Sequence, residues 1–483
     1  MIRGLRFRRL TSKNRFAEAL AVAAVSELPS YDTTLYACYR LGMYETVANS
    51  AHPVTHWRDG IARAASLAAC GRVAEAGSLA ESLLAEHKSV PHRLALIIAL
   101  TPFAPHLALR FLDPVQTPVG LHAALLMRSG DAERGMQLLQ TAMTEGPTAH
   151  GADLHLLLSN ATSRTPEQQL MRMNAFLARY ALPEVALRDE NVSPGTLNLT
   201  VGKPLPGVQG PMVSVLMTAY QAAGRIGAAI ASLLAQTYRN LEIIVIDDAS
   251  TDHTEQVVRA IAEHDPRVRY LQLPRNVGTY VAKNIGLQMA RGEFATCHDS
   301  DDWSHPLKIE RQVRPLLADC KLVFTTSYWV RMQDDGIFYA RQVYPLLRLN
   351  PASPLFRIKA VREQAGGWDG VRTGADSEFS ARLALVFGKN ARHRVLEPLT
   401  FGAHRADSLM TASATGYSEA GLSPTRLRYW EQWSQYHIAC LREDKKPFMP
   451  TNLLADRQFL APAEIMVPPG DIKTCLDHLR LAT

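Results

Sequence analysis

Cysteine is scarce and dispersed in this chain: six in 483 residues, at positions 38, 70, 297, 320, 440 and 475, with no CxxC pair. That spacing excludes a disulfide scaffold and a structural zinc site, and it fits a reducing compartment. Long apolar runs are missing too. The most apolar stretch, Leu94 to Leu100, is far too short to span a bilayer and is followed by Pro102 and Pro105. The first twenty residues, MIRGLRFRRLTSKNRFAEAL, are basic but lack the continuous apolar core of a secretory leader. They read as a solvated first helix or as an amphipathic segment on a membrane surface. No GxxxxGK[ST] loop, GxGxxG or GxSxG is present, so phosphate-loop, dinucleotide and nucleophile-elbow chemistries have no motif to stand on. Neither a basic-aromatic array nor zinc-finger spacing points to nucleic acid.

What the chain has is an ordinary globular composition, 47% hydrophobic and 20% charged, with a formal charge of +6. The length favours two or three domains, and the basic balance favours anionic partners. From about 35 to 185 the pattern is helical and repeats. Polar joints fall at Gly42, Gly71 and Gly130, with two more near Thr101 and Asn160, roughly every 30 residues. Each unit buries its apolar face only against its neighbours, as helical-hairpin repeats do. Residues 1–185 are read as this domain, and the array resembles tetratricopeptide-like repeats. Residues 186–211 lose the periodicity and gain Pro and Gly, which reads as a linker.

Strands and helices then alternate through VSVLMTAY, LEIIVIDD, VRYLQLP and FATCHD, predicting a mostly parallel, doubly wound α/β sheet over 212–440. KLVFTTSYWV reads as an added strand and RLRYWEQW as a core helix. The Pro-rich segment 441–483 reads as an extension over the surface. Two acidic pairs, Asp247-Asp248 and Asp299-Ser300-Asp301, follow apolar strand-like runs about fifty residues apart. Ligands bind beyond the carboxyl ends of such strands. Carboxylates there suit a hard divalent cation, Mg²⁺ or Mn²⁺, and a polyoxygenated ligand such as a nucleotide or phosphorylated sugar.

The stretches PMVSVLMTAYQAAGRIGAAIASLLAQTYRNLEIIVIDDASTDHT and NVGTYVAKNIGLQMARGEFATCHDSDD match, in order and spacing, the opening and the DxD segment of family 2 glycosyltransferases. The resemblance covers about residues 211–410 and implies a GT-A fold. It implies transfer of a sugar, with inversion, from a nucleoside diphosphate donor (UDP favoured) to a hydroxyl of a glycan or lipid-linked acceptor in surface polysaccharide synthesis. Thr218, Ala219 and Tyr220 then cradle the nucleotide, and Asp248 accepts from its base or ribose. Asp247 holds the loop, and Ser250 or Thr251 caps the next helix. Asp301 is the direct cation ligand and Asp299 meets the ribose or a metal-bound water, while Asp302 caps the following helix. Lys283 stands where a phosphate-binding Arg is common. In AGGWDGVRTGADSEFSARLALVFG, Trp368 and Asp369 shape the sugar pocket, with a core role open for Trp368. Asp376 or Glu378 is the base, and Ala375 replaces the usual Glu of a Glu-Asp pair. In FGAHRADSLM, His404 is a candidate metal ligand and Arg405 a diphosphate contact. The transmembrane helices of processive synthases are missing, which implies one sugar per binding event at a cytoplasmic or inner-membrane-surface location. The helical repeats could hold a protein partner. The rivals are a non-catalytic scaffold with a degenerate transferase domain, supported by Ala375, and a sugar-phosphate nucleotidyltransferase, for which the loop after the first strand fits poorly.

Overall fold

A computed structural model describes residues 2–23, 33–146, 151–406, 408, 416–418 and 421–482. The amino-terminal region is all helical. Its hairpins pair Thr34–Arg40 with Tyr44–Ala48, Trp57–Ala69 with Val73–Glu86, Val90–Leu100 with Pro105–Arg110, Val119–Arg128 with Ala132–Glu145, and Asp153–Thr162 with Pro166–Ala178. The joints fall where the sequence places them, with one exception. Gly71 and Gly130 take φ of 81° and 93°, the left-handed conformation that ends a helix without a Cβ penalty. Asn160 is not a joint. It lies inside a helix, and its amide clasps the Phe338 peptide, donating to the carbonyl and accepting from the N–H at 2.8 Å each. The turn comes at Ser163–Thr165, where Thr165 caps the next helix through Gln168 N. Ahead of the array, helix Ile2–Ser12 buries Phe7 while its described arginines face outward, as expected of a solvated first helix.

The segment expected as a linker is folded. β1 (Val185–Leu187) and β2 (Leu199–Val201) form an antiparallel hairpin. Asn198 ties its loop by donating to the Asp189 and Val192 carbonyls. The ten-stranded sheet that follows comprises β3 (Val213–Ala219), β4 (Leu241–Asp247), β5 (Val268–Gln272), β6 (Phe294–Cys297), β7 (Trp303–Ser304), β8 (Phe324–Met332), β9 (Phe338–Tyr339), β10 (Arg348–Leu349), β11 (Leu355–Arg357) and β12 (Arg392–Ala403). The order is β5-β4-β3-β6-β11-β8-β12-β7, with β9 and β10 paired to β8. β5, β4, β3 and β6 are parallel, and β8 and β12 are parallel to each other. The doubly wound α/β arrangement behind an all-helical region is as expected, but the sheet is mixed and not mostly parallel, because β7, β9, β10 and β11 pair antiparallel.

Alternation along the strands explains why both faces are covered. Val215, Met217, Ile243 and Val245 pack on helix Ile226–Leu234, while Leu216, Ile244 and Ile246 pack on helix Thr279–Met289. Each fully buried aliphatic side chain contributes about 1.5–3 kcal/mol. β3 and β4 end in register, Ala219 opposite Asp247, so the loops after β3, β4 and β6 open on one edge. The helical array shares a core with the far half of the sheet. Leu154, Leu157 and Phe176 pack in one cluster with Val330, Met332, Phe338 and Phe401. Asp153 reinforces the seam by accepting from Leu346 N at 2.6 Å and Leu347 N at 3.1 Å. Helix Pro424–Arg442 buries Tyr429 and Trp433, the core role read from RLRYWEQW. The carboxy-terminal segment runs back over the domain through single bridges Gly366–Met449 and Val371–Met466.

Asn160→Ala removes both bonds of the clasp and strands the Phe338 peptide. Chemical denaturation should show a loss of about 1–3 kcal/mol. An unchanged midpoint would mean that the seam does not depend on it.

Candidate active site

Asp247 and Asp248 end β4 in different roles. Asp247 is fully buried; Oδ1 accepts from Ser250 N at 2.8 Å and Oδ2 from the Tyr270 hydroxyl at 2.6 Å, so it holds the loop as expected. Asp248 is 4% exposed, and its two oxygens accept from Val277 N and Gly278 N, both at 2.7 Å. Burial pushes its carboxyl up to about 6. Asp248 therefore fastens the 277–278 turn at the start of helix Thr279–Met289, and only its remaining lone pairs face a ligand. Neither Ser250 nor Thr251 caps the next helix, which begins at Thr254. Ser250 Oγ accepts from Gln221 N, and Asp252 from Ala223 N. The loop after β3 is thus pinned to the loop after β4. Ala219 is buried and Tyr220 is 55% exposed beside it, while the Thr218 hydroxyl bonds that of Thr279 at 2.6 Å.

The turn after β6 carries Asp299, Asp301 and Asp302. Antiparallel pairing of β7 with β12, Trp303 opposite Phe401, brings a segment a hundred residues away alongside it. Asp302 is buried and accepts from Ala403 N at 3.0 Å, so it ties the turn to β12 instead of capping a helix. Two residues on, Arg405 Nε donates to Asp301 Oδ2 at 3.0 Å. Burial and the charge of Asp299 push Asp301 up, and Arg405 pulls it down. Asp302 is driven well above the carboxylate range by burial, Asp301 and Asp299. Beneath the turn, burial lowers His298 to about 3 and Lys308 to about 8.

Two carboxylates on one turn, each raising its neighbours, fit a Mg²⁺-type site whose shell is completed by substrate phosphates and water. Among the described residues no three His, Cys, Asp or Glu side chains form a cage by themselves. His404 is not gathered with the two aspartates. Its ring stacks on Tyr339 at 3.7 Å and 3°, and burial with Arg331 and Arg128 nearby lowers it to about 4. The rest of that segment, Asp407, Leu409 and Met410, lies outside the described residues.

The third part is the helix Ala375–Phe387. Gly374 is its cap, so Asp376, in the first turn, is free of that duty. Its oxygens accept from Lys283 Nζ, both at 3.2 Å, and from the Tyr280 hydroxyl at 3.3 Å. Lys283 is 1% exposed and is therefore the charge partner of Asp376, not a phosphate contact on the open face. Burial raises the Asp376 carboxyl above the usual range, against the pull of Lys283, and Asp299 adds to the rise. Ala375 is fully buried in the apolar cluster under the sheet, so an acid there would be desolvated.

Three expected site residues serve elsewhere. Glu378 cannot be the base: it is fully buried, held by Arg382 Nε and Nη2 at 2.8 Å each and by His437 Nε2 at 2.9 Å. Despite its burial, Arg382 and His437 lower its carboxyl to about 2. Trp368 packs its face on Phe379, centroids 4.4 Å apart, and its edge on Phe356. It is core, not a sugar platform. Asp369 is taken by the Tyr429 hydroxyl at 2.9 Å and by Arg457 Nη2 at 2.7 Å, which anchors the carboxy-terminal segment. Tyr280, Arg382 and His437 were missed in the sequence. The first two carried a signal, since Tyr280–Lys283 and Glu378–Arg382 are spaced to meet on one helical face.

The family model for glycosyl transferase family 2 matches residues 214–374, from the first core strand to the cap of the Asp376 helix. An uncharacterized glycosyltransferase of Haemophilus influenzae is 39% identical over 126 residues, 26% of this chain and 50% of that protein. The putative teichuronic acid biosynthesis glycosyltransferase TuaG of Bacillus subtilis is 34% identical over 26% of this chain and 49% of its own. The succinoglycan biosynthesis protein ExoO of Rhizobium meliloti is 42% identical over 21% of this chain and 29% of its own. The chain spans at most half the length of these relatives. A crystal structure of S. aureus TarS with UDP-GlcNAc aligns with a TM-score of 0.37 at 18% identity, over 48% of this chain and 65% of that one. Residues 214–374 are thus similar to family 2 glycosyltransferases.

Glu378 is a buried acid held by Arg382 and His437. Its depressed carboxyl contributes stability that is fully present above the ordinary glutamate value of 4.5 and is lost as pH falls toward about 2. Glu378→Gln leaves Arg382 buried and uncompensated, and denaturation at neutral pH should show a loss of about 3–5 kcal/mol. Full stability with abolished transfer would restore Glu378 as a base.

Proposed function

We propose that the chain transfers a sugar from a nucleoside diphosphate donor, a UDP-sugar in the first instance, to a hydroxyl of a glycan or lipid-linked acceptor, inverting the anomeric centre. The observation that carries this is that the turn bearing Asp299 and Asp301, held by Arg405 at 3.0 Å, and the Asp376 carboxylate, held by Lys283 at 3.2 Å, lie near enough for Asp299 to raise the carboxyls of both Asp301 and Asp376. A donor-side pair of carboxylates and an acceptor-side carboxylate of raised basicity thus share one edge of the sheet. The names of two relatives, in teichuronic acid and succinoglycan synthesis, support an acceptor that is part of a surface polysaccharide.

The nucleotide would lie against Thr218–Tyr220 and the turn that Asp248 fastens. Asp301 and Asp299 would hold Mg²⁺ or Mn²⁺, which when bound offsets charge on the leaving diphosphate. Arg405, already beside Asp301, would contact the same diphosphate. Asp376 would take the proton from the acceptor hydroxyl as its oxygen bonds to the anomeric carbon and the bond to the diphosphate oxygen breaks. Burial makes Asp376 the stronger base, and Lys283 keeps it ionised when the acceptor arrives.

Asp376→Asn should lower transfer by about 10²–10⁴-fold while leaving calorimetric binding of UDP with Mn²⁺ intact. Asp301→Ala should lose both transfer and metal-dependent nucleotide binding, with the melting curve preserved. Normal turnover in either variant would contradict its assignment.

A further inference from the structure

A cavity of about 910 Å³ lies away from the donor edge, between the first helices of the array and the outer face of the Asp376 helix. It runs along that helix from Ser377 to Phe387, about 15 Å at helical rise. Its lining has two parts. One wall is aromatic, built from Phe16, Tyr44, Trp430 and Trp433, with Ala381 and Ala384 leaving the helix face low. The other part is cationic: Lys13, Arg15, Arg40, Lys389, Arg392 and Arg394 line it against a single acid, Glu18.

Glu18 is already paired with Arg15. Arg40 lies over the Phe16 ring at 4.8 Å and donates to the Tyr36 hydroxyl. Arg392 and Arg394 stand two apart on β12, hence on one face of the strand. Neither they nor Lys389 nor Lys13 forms an ion pair among the described residues. Burial and the charge of Arg394 hold the Arg392 guanidinium below its usual value, the cost of crowding cations with no counterion in place. A structural surface would dilute such charges with acids. Lys389, Arg392 and Arg394 follow directly on the Phe387 end of the helix along which the apolar wall runs.

We propose that this cavity binds a phosphate group carrying an apolar chain, the phosphate held by Arg392, Arg394 and Lys389 and the chain lying along the aromatic wall. The guanidinium pair suits phosphate oxygens in geometry and charge. The apolar wall excludes a fully hydrated polyanion as the best occupant, and the cationic end excludes a neutral lipid. The site uses no residue of the donor cleft and stands whether or not the chain transfers a sugar.

The test is a tryptophan-fluorescence titration of the full chain with dodecyl phosphate below its micelle-forming concentration. Inorganic phosphate and uncharged dodecyl maltoside form the comparison arms. Saturable binding of dodecyl phosphate is expected, much tighter than either, and weakened about tenfold or more in the double variant Arg392→Gln/Arg394→Gln. Equal binding of the maltoside, equal binding of inorganic phosphate, or an unweakened double variant would each overturn the proposal. If circular dichroism shows the double variant unfolded, Lys389→Gln on its exposed turn takes its place. It should weaken dodecyl phosphate and leave dodecyl maltoside unchanged, and no weakening would overturn the proposal. UDP titration of the same variants, expected unchanged, separates this site from the donor cleft.

Discussion

A single buried guanidinium sets the position of the helix that carries Asp376. Arg382 has no exposed surface, and stripping it of water would cost several kcal/mol without compensation. Compensation comes from Glu378 on the same helix and from the Ala365 and Gly367 carbonyls. Glu378 in turn takes His437 from helix Pro424–Arg442. The network binds helix Ala375–Phe387 to the turn before Trp368 and to the helix that crosses it. With that helix fixed, Asp376 in its first turn has one position, against Lys283 and Tyr280. The Asp376 carboxylate is placed by a buried network of charges further along its own helix.

The same helix explains why the amino-terminal array is not a loosely tethered module. Helix Pro424–Arg442 reaches the array as well as the Asp376 helix: Glu431 accepts from Thr46 N and its hydroxyl at 2.9 and 2.8 Å. Ser434 donates to the Leu41 carbonyl. At the other end of the array, Asp153 and Asn160 clamp the segment around β9 and β10. The far half of the sheet and the helical hairpins therefore share a core, and the cationic cavity lies between the first helices and the Asp376 helix.

Much of this was legible from residue order. Alternating apolar runs fixed β3, β4 and β6, and the aspartates beyond them fell on one edge because parallel strands end together. Glycine at the hairpin joints marked turns that need positive φ. The failures have several causes, and for Asn160 and Asp302 it is a partner that lies far away in sequence. The joint expected near Asn160 comes a few residues later, because Asn160 stays in its helix to meet Phe338, 178 residues on. Residues 186–211 read as a linker because Asn198 bonds backbone groups, which leave no periodicity. Asp302 read as a helix cap because Ala403 could not be seen. Trp368 and Asp369 read as pocket because an aromatic beside an acid is equally good at packing and at sugar binding. Glu378 is the instructive case, since Arg382 four residues on was visible and spoke for a buried pair.

The central claim is that Asp376 is the base and that Lys283 holds it ionised within a buried site. Burial raises the Asp376 carboxyl and Lys283 lowers it, so transfer should rise with pH through a limb above the ordinary aspartate range. The decisive measurement is the pH dependence of kcat in the native chain and in Lys283→Met. The account predicts that the variant's acid limb moves to higher pH while UDP binding with Mn²⁺ is retained. An unmoved limb, or a loss of nucleotide binding in its place, would contradict it and put Lys283 on the diphosphate.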